Sequence, residues 1–504
     1  MRNLMGIDLG SGGCKVTVLD PSGKVLARGY EEYETRYPHP GWAEQDPRDW
    51  ETALGKTLAA IFRGSGFAPT DIGCLAIGAA THTVVLVDRK GRFLRPAILW
   101  TDRRTIREVE WLKENFEELI IAETYHAPNV NWTLPYLLWV RKHEPEVWRQ
   151  AEKILMPKDY LRYRLTGKMA TDFMDAHGTL LFNVPQKKWS SRICEATDLS
   201  PDLLPEVLPA LGIAGEVTSE ASARWGLAKG TPVLVGSTDQ ACEAFGSGAI
   251  RPGSGILKLA TAGNVAVVTE RAHPSPPRVY AYYHIVNGQW YTLSGTSSCA
   301  VAYRWLRDTL FSETGPAAYQ EMDRLAESIP PGTGGLLFHP SLQGSLGNPY
   351  LRADFLGIMS SHRRGHFVRA VLEGVAFSLY DCLLREEALG VRAKEFRLIG
   401  GGAKSPLWRR ILGDVFGREM RVPLESDASF GTALLAGVGI GLFKSLEEAV
   451  NQAVRIVDTL EPDLNHHKIY REIFACYEAS ETALKEVYQR LHGLTTAASP
   501  PKTP

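Results

Sequence analysis

No two cysteines stand at C-x-x-C spacing. The seven present, Cys14, Cys74, Cys194, Cys242, Cys299, Cys382 and Cys476, are scattered and odd in number, so neither a disulfide framework nor a zinc site is signalled. They read as reduced, mostly buried thiols. No apolar run approaches the roughly 20 residues that span a bilayer, and the N-terminus reaches Asp8 and its glycines before any signal-like stretch develops. A cytoplasmic protein without a membrane partner is expected. Charge of either sign is not in excess: 56 Lys and Arg against 57 Asp and Glu give a net charge of -1. No surplus of cations is available to hold nucleic acid by its phosphates, so small molecules are the expected partners. Also missing are G-x-x-x-x-G-K-[ST] and a G-x-G-x-x-G after a strand, which disfavours P-loop and Rossmann solutions to nucleotide binding.

What is present is an ordinary globular composition, 44% hydrophobic and 22% charged. At roughly 150 residues per domain, 504 residues suggest two to four domains. The first thirty residues read as a three-strand meander: Leu4 to Leu9, a Gly10-Ser11-Gly12-Gly13 tip, Lys15 to Leu19, the turn Pro21-Ser22-Gly23, then Val25-Leu26-Ala27. Short buried strands at Leu75-Ala76-Ile77-Gly78 and Val84-Val85-Leu86-Val87 and helices at Ile106 to Leu119 and Leu134 to Lys142 indicate an α/β protein. Arg251-Pro252-Gly253-Ser254-Gly255 reads as a hinge or crossover. Beyond it the opening pattern partly repeats: strand Ile256 to Leu259, small-residue tip Ala260-Thr261-Ala262-Gly263, strand Val265 to Val268. An i, i+4 stripe from Phe367 to Leu383 predicts a long helix, Phe396 to Ile399 a strand running into Gly400-Gly401-Gly402, and Ser445 to Glu448 a capped helix start. The predicted domains are 1–250 and 251–494, with 495–504 a disordered tail.

Glycine-rich tips let consecutive main-chain N–H groups point into one concavity, which holds phosphate without net positive charge. The tip at 10–13 is such a candidate, with a plain hairpin turn as the alternative; the matching tip at 260–263 favours phosphate. Asp8, just before the first tip, is placed to hold hydrated Mg²⁺, which favours one or two carboxylates plus substrate phosphates. Its alternative is an aspartate closing a turn. Val233 to Ala241 reads as strand, tight turn and helix start, with Asp239 facing the crevice where ligands of α/β sheets bind; the alternative is helix capping by Ser237, Thr238 or Asp239. Thr81-His82-Thr83 and Trp100-Thr101-Asp102-Arg103-Arg104 offer hydroxyl partners and an aromatic plate for a polyol, against a satisfied core histidine and a surface ion pair. His177 reads as a loop residue, and His466 and His467 lack ligand spacing.

Together these segments are similar to the FGGY family of carbohydrate kinases. The likeness runs in order through Gly6-Ile7-Asp8-Leu9-Gly10-Ser11-Gly12-Gly13, Pro40 to Pro47, Leu99 to Arg104, Thr171-Asp172 with Asp175-Ala176, Gly236 to Gln240, Leu372 to Phe377 and Gly400 to Trp408. Within the family, Gly402 to Trp408 and Thr179 to Phe182 most resemble bacterial xylulokinases. The resemblance implies an actin-like, ribonuclease-H-like fold, two homologous domains flanking a nucleotide and sugar cleft. It also implies transfer of the γ-phosphoryl of Mg·ATP to a sugar hydroxyl, D-xylulose ahead of other ketoses, gluconate, other polyols and glycerol. Carried over, Asp239 is the catalytic base and Asp8 the metal-associated aspartate. Ser11, Gly12 and Lys15 form the first phosphate loop, Thr261 and Gly263 the second, and Gly401, Gly402 and Ser405 the adenosine motif. His82 contacts sugar, with Thr81, Trp100, Asp102 and Gln240 in the same pocket. A homodimer is the family expectation.

Three departures bear on the substrate. Ala79-Ala80-Thr81-His82-Thr83 replaces Gly-Gln-Met-His-Gly, Gly236-Ser237-Thr238 replaces three glycines, and Ala260 and Ala262 replace the Gly and Ser around Thr261. The competing class is an actin-like ATPase or sugar-sensing protein without kinase activity.

Overall fold

Strand Asn3–Leu9 is buried on both faces, and its period of two sorts its residues between them. Met5, Ile7 and Leu9 enter one apolar core with Trp50, Leu54, Leu75 and Ile77. Leu4 enters another with Phe430, Ala433 and Leu434, and the same alternation puts Gly6 and Asp8 on that second face. Burying each large aliphatic side chain contributes about 1.5–3 kcal/mol, so a strand sandwiched this way is strongly held in register.

The computed structural model describes residues 2–313, 315–342, 344, 348 and 350–497. The chain forms two compact units: Met1–Ile250, Glu270–Trp290 and Glu425–Arg455 make the first, and Arg251–Thr269, Tyr291–Leu424 and Ile456–Pro504 the second. The chain first leaves unit one at the predicted crossover after residue 250. It then returns twice, so a single cut there does not describe the units. The physical reason is helix Ala428–Gly439, which supplies the apolar cover that strand Asn3–Leu9 needs on its second face.

In the first unit the strands lie in the order Ile213–Glu216, Pro232–Leu234, Ile72–Ala79, Asn3–Leu9, Gly13–Leu19, Val25–Glu32, with Ser237–Thr238 also pairing with Ile72–Ala79. The last three form the expected antiparallel meander, while Ile72–Ala79 runs parallel to Asn3–Leu9. The second unit repeats this order with Trp290–Thr296, Gly263–Thr269, Ser254–Leu259, Glu395–Ile399, Glu419–Pro423 and Ile456–Leu460. There too the hairpin is antiparallel and the next strand, Glu395–Ile399, is parallel to Ser254–Leu259.

Helix Pro47–Gly64 starts as its sequence dictates, with Asp46 accepting from Arg48 N at 2.9 Å and proline in the first turn. The Phe367 stripe becomes helix Arg364–Ala388, and Ser445 caps Leu446–Ala453 by accepting from Glu448 N at 3.1 Å. Six cysteines are buried thiols and Cys476 is exposed. One expectation is corrected: helix Leu464–Ala497 continues through the start of the predicted tail, and residues 498–504 lie outside those described. Among the described residues no helix is long and apolar enough to cross a membrane.

Helix Ala428–Gly439 lies directly on main chain. A Cβ on Gly6 would stand 2.1 Å from Ser429 O, and one on Gly431 would stand 1.9 Å from Cys242 O in helix Asp239–Ser247. Thr17 Oγ1 and Ser429 Oγ share a buried hydrogen bond of 2.7 Å across the same contact. Gly6→Ala is therefore expected to destabilise the protein by about 1–3 kcal/mol through overpacking, read as a lower urea midpoint. An unchanged midpoint would contradict the contact.

Candidate active site

Parallel pairing brings Asp8 and Asp239 to one end of the first sheet. Asp8 pairs with Gly78 from one side of strand Ile72–Ala79, and Ser237 pairs with the same Gly78 from the other. Gly236 makes the turn between Pro232–Leu234 and Ser237–Thr238: its φ is 77°, and a Cβ there would stand 2.0 Å from Ile77 O, so only glycine fits. Helix Asp239–Ser247 follows at once. Its cap is Thr238, whose Oγ1 accepts from Ala241 N at 3.3 Å. Capping is thus done by the neighbour, and Asp239 is the first helical residue, accepting at Oδ1 from Gln240 N at 2.8 Å.

Asp8 is nearly fully buried, and Oδ1 has no hydrogen-bond partner. Burial pushes its pKa well above the usual carboxylate range. The charge of Asp239 adds to this, Lys15 opposes it, and Glu243 and Asp427 raise it further. An unsatisfied carboxylate oxygen amid this negative potential fits a divalent cation. Among the described residues no cluster of three or more acidic, histidine or cysteine side chains could hold a metal ion by itself.

The tip at 10–13 is organised to turn its carbonyls inward. Tyr33 Oη donates to Gly10 O, Gln45 Nε2 to Ser11 O at 2.7 Å, Tyr33 N to Gly12 O at 3.3 Å and Gly10 N to Gly13 O at 3.1 Å. Ser11 and Gly12 themselves are exposed. The second unit uses the same device. Ala260 O accepts from Ala300 N at 2.8 Å and Thr261 O from Cys299 N at 3.0 Å, seating that tip on the start of helix Ala300–Leu310. Lys258 pairs with Ile399 in parallel, so Gly401 and Gly402 emerge at the end of the sheet where Thr261 and Gly263 turn. Ser405 caps helix Pro406–Phe416, accepting from Trp408 N at 3.0 Å.

The sugar-side candidates divide. His82 has φ 68°, a left-handed conformation that costs a non-glycine residue energy. Its Nδ1 lies 2.6 Å from Gly178 O. Nδ1 therefore carries the proton and donates it, leaving Nε2 a bare acceptor. Thr81 Oγ1 is buried without a partner. A cleft lined by Gly10, Ser11, Ala80, Thr83 and Trp100 joins this loop to the first tip, and Trp100 Nε1 donates to Ser11 Oγ at 3.1 Å. Asp102 behaves otherwise: fully buried, it accepts from Ala43 N at 2.6 Å and forks to Arg104 at 3.0 and 2.7 Å. It makes a buried ion pair with Arg104, not the surface pair that was its alternative, and its carboxylate oxygens are taken up by Arg104 and Ala43 N.

Two features escaped the sequence reading. His177 is not in a loop; it ends helix Phe173–His177, fully buried, and stacks on His126 at 4.4 Å and 4°. Trp132 lies between His126 and His82, 4.4 and 4.3 Å from their rings, and Tyr280 and Tyr282 border His126. Beneath the turn at 235–238 lies a buried charge network on helix Pro157–Thr166. Lys158 Nζ reaches Asp159 at 2.6 Å and Asp172 and Asp175 at 3.0 Å. Only the pairing of Lys158 and Arg162 one helical turn apart hinted at a shared face.

Residues 3–246 match the N-terminal domain, and residues 259–440 the C-terminal domain, of the FGGY family of carbohydrate kinases. Xylulose kinase of Escherichia coli (strain K12) is 34% identical over 497 residues, covering 97% of this chain and 99% of that protein. The crystal structure of xylulose kinase from Rhodospirillum rubrum superposes with a TM-score of 0.90 at 28% identity, over 97% of this chain and 100% of that one. Gluconate kinase from Lactobacillus acidophilus has a TM-score of 0.90 at 22% identity over 97% of this chain and 99% of that one, a likeness of fold alone. The expected actin-like, ribonuclease-H-like α/β fold is the one observed.

The buried histidines make stability depend on pH. Burial pushes His82, His177 and His284 from the ordinary 6.5 down to about 4, with hydrogen bonds to main-chain carbonyls partly opposing it. As pH falls below 6.5 the unfolded chain binds protons that the folded chain refuses until about pH 4, so stability is lost across that window. Buried Asp8, Asp175 and Glu386, whose pKa values are raised, act in the opposite sense, so the histidine contribution is read as the difference in urea midpoint between the protein and His284→Gln. That difference should shrink as pH falls from 6.5 to about 4, and a constant difference would contradict the burial of that ring.

Proposed function

The chain belongs to the FGGY family of carbohydrate kinases and is an ATP-dependent sugar kinase; from that premise we propose that it phosphorylates D-xylulose, with Asp239 as the base. The observation that carries this reading is the position of Asp239. It opens a helix beyond a glycine turn, at the same sheet end as Asp8 and the tip at 10–13.

In this reading a sugar hydroxyl oxygen attacks the γ-phosphorus of ATP, the bond to the bridging oxygen breaks, and ADP leaves with the bonding electrons. Asp239 accepts the hydroxyl proton. Phosphoryl transfer asks the protein mainly for alignment and charge stabilisation, and the chain provides these locally. In the first unit Ser11 and Gly12 would meet phosphate oxygens through main-chain N–H groups of a tip whose carbonyls are already engaged, and Lys15, whose charge acts on Asp8, would add its ammonium group; in the second unit Thr261 and Gly263 are the corresponding candidates. Gly401, Gly402 and Ser405 take the adenosine. Asp8 would hold Mg²⁺, which when bound neutralises phosphate charge.

Sugar recognition falls to His82, Thr81, Trp100 and Gln240. Because burial keeps His82 neutral, this wall offers hydrogen bonds instead of positive charge, which suits an uncharged ketose better than an aldonate. The identity with Escherichia coli xylulose kinase supports the same choice. A second reading, another ketose, is favoured by the loop at 79–83, where Ala79, Ala80 and Thr81 stand at positions that meet sugar in the xylulokinases it resembles.

The test is ADP release over pentuloses, hexuloses, polyols and aldonates with and without Mg²⁺, with D-xylulose expected to give the highest kcat/KM. Asp239→Asn should lower turnover by about 100- to 10,000-fold while ATP binding persists. Full turnover in Asp239→Asn would end the base assignment, and preference for gluconate would end the substrate assignment.

A further inference from the structure

The turn that delivers Asp239 is held by side chains that never reach solvent. Ser237 is fully buried, and its Oγ donates to Asp172 Oδ2 at 3.1 Å. The other oxygen of Asp172 lies 3.0 Å from Lys158 Nζ. One turn along the same helix, Arg162 donates to Val235 O at 2.5 Å and to Asp159 Oδ1 at 3.1 Å. Asp172 also caps helix Phe173–His177, accepting from Met174 N at 3.2 Å and Asp175 N at 3.3 Å. Lys158, Arg162 and Asp172 are completely buried, and Asp159 and Asp175 all but completely.

Two facts single this network out from ordinary core ion pairs. Its charges touch the turn at both sides of Gly236, through Val235 O and Ser237 Oγ, so the main chain leading into Asp239 is gripped on each side of its one flexible residue. Its composition is also uneven: two cations, Lys158 and Arg162, serve three carboxylates, Asp159, Asp172 and Asp175. Burial, only partly offset by Lys158, pushes Asp175 up to about 7. Lys158 is held the other way: burial works against its charge, and the three carboxylates override that to keep it protonated. A charged, fully buried network is expensive to maintain for stability alone, whereas catalysis loses heavily when a reacting group shifts by a fraction of an ångström.

We propose that Ser237, acting through Asp172 and Lys158, is a positioning residue for phosphoryl transfer: the relay Lys158–Asp172–Ser237 fixes the turn at 235–238 so that Asp239 meets the acceptor hydroxyl. Ser237 and Asp172 touch no substrate in this scheme; they set the aim of the residue that does. The inference rests on the reading of Asp239 as base.

The experiment is a cycle of Ser237→Ala, Asp172→Asn and the double variant in the full-length protein, with Asp239→Asn as control. Each is measured for kcat, for KM of ATP and sugar, and for melting midpoint. Losing one buried hydrogen bond to a charged group is expected to lower kcat of Ser237→Ala by about tenfold, with KM for ATP unmoved. Ser237→Ala should be the milder change in fold, and its kcat is read below its melting midpoint, per molecule competent to bind ATP. Because the two residues act in series, the double variant should be no slower than Asp172→Asn alone. A kcat for Ser237→Ala equal to that of the unaltered protein, or losses that simply multiply in the double variant, would overturn the relay while leaving Asp239 as base. Full turnover in Asp239→Asn would overturn both. Should Asp172→Asn not fold, the kcat and KM of Ser237→Ala still decide the matter.

Discussion

The contact on which the first unit depends is the one between helix Ala428–Gly439 and the bare main chain of strand Asn3–Leu9. Gly6 admits Ser429 and Ala433 to a distance no side chain permits, and Gly431 does the same for the backbone of helix Asp239–Ser247. Three segments separated by hundreds of residues are thereby locked together. Asp8 shares the strand face with Gly6, and Asp239 begins the helix that Gly431 touches, so the same contact sets both carboxylates at one sheet end. It also explains why the chain crosses back into the first unit after residue 424.

Around that frame the protein handles charge in two opposite ways. At the tips, carbonyls are drawn inward by Tyr33 and Gln45 in one unit and by the start of helix Ala300–Leu310 in the other. A net charge of -1 is then no obstacle to holding a polyphosphate. Beneath the turn at 235–238, full charges are buried outright, with Lys158 and Arg162 against three aspartates. Removing one member of such a set costs about 3–5 kcal/mol because it strands the others. The first arrangement leaves main-chain donors facing solvent; the second removes freedom from a loop that must not move.

The histidine and tryptophan stack adds a third element. His82, Trp132, His126 and His177 form a column of rings running from the loop at 79–83 into the interior. Desolvation keeps His82 and His177 uncharged at neutral pH. The rigidity of this wall comes from ring packing, with the strained φ of His82 held in place by Gly178 O.

Much of this was legible in the residues themselves. Strong periodicity and turn chemistry placed the meander, the repeated hairpin, the Phe367 helix, the Ser445 cap and the Gly236 turn, because each depends on neighbours within a few positions. Ordered motifs then identified the family and with it Asp8 and Asp239. Tertiary structure decided the rest. No local signal says that residues 425–455 complete the first unit, that His177 stacks on His126, or that Lys158 lies under Ser237. Each of these requires residues far apart in the chain to meet, from His126 and His177 to Gly6 and Ser429. A sequence states which side chains are available, but burial and contact depend on how distant segments pack, and that packing puts Asp239 at the same sheet end as Asp8.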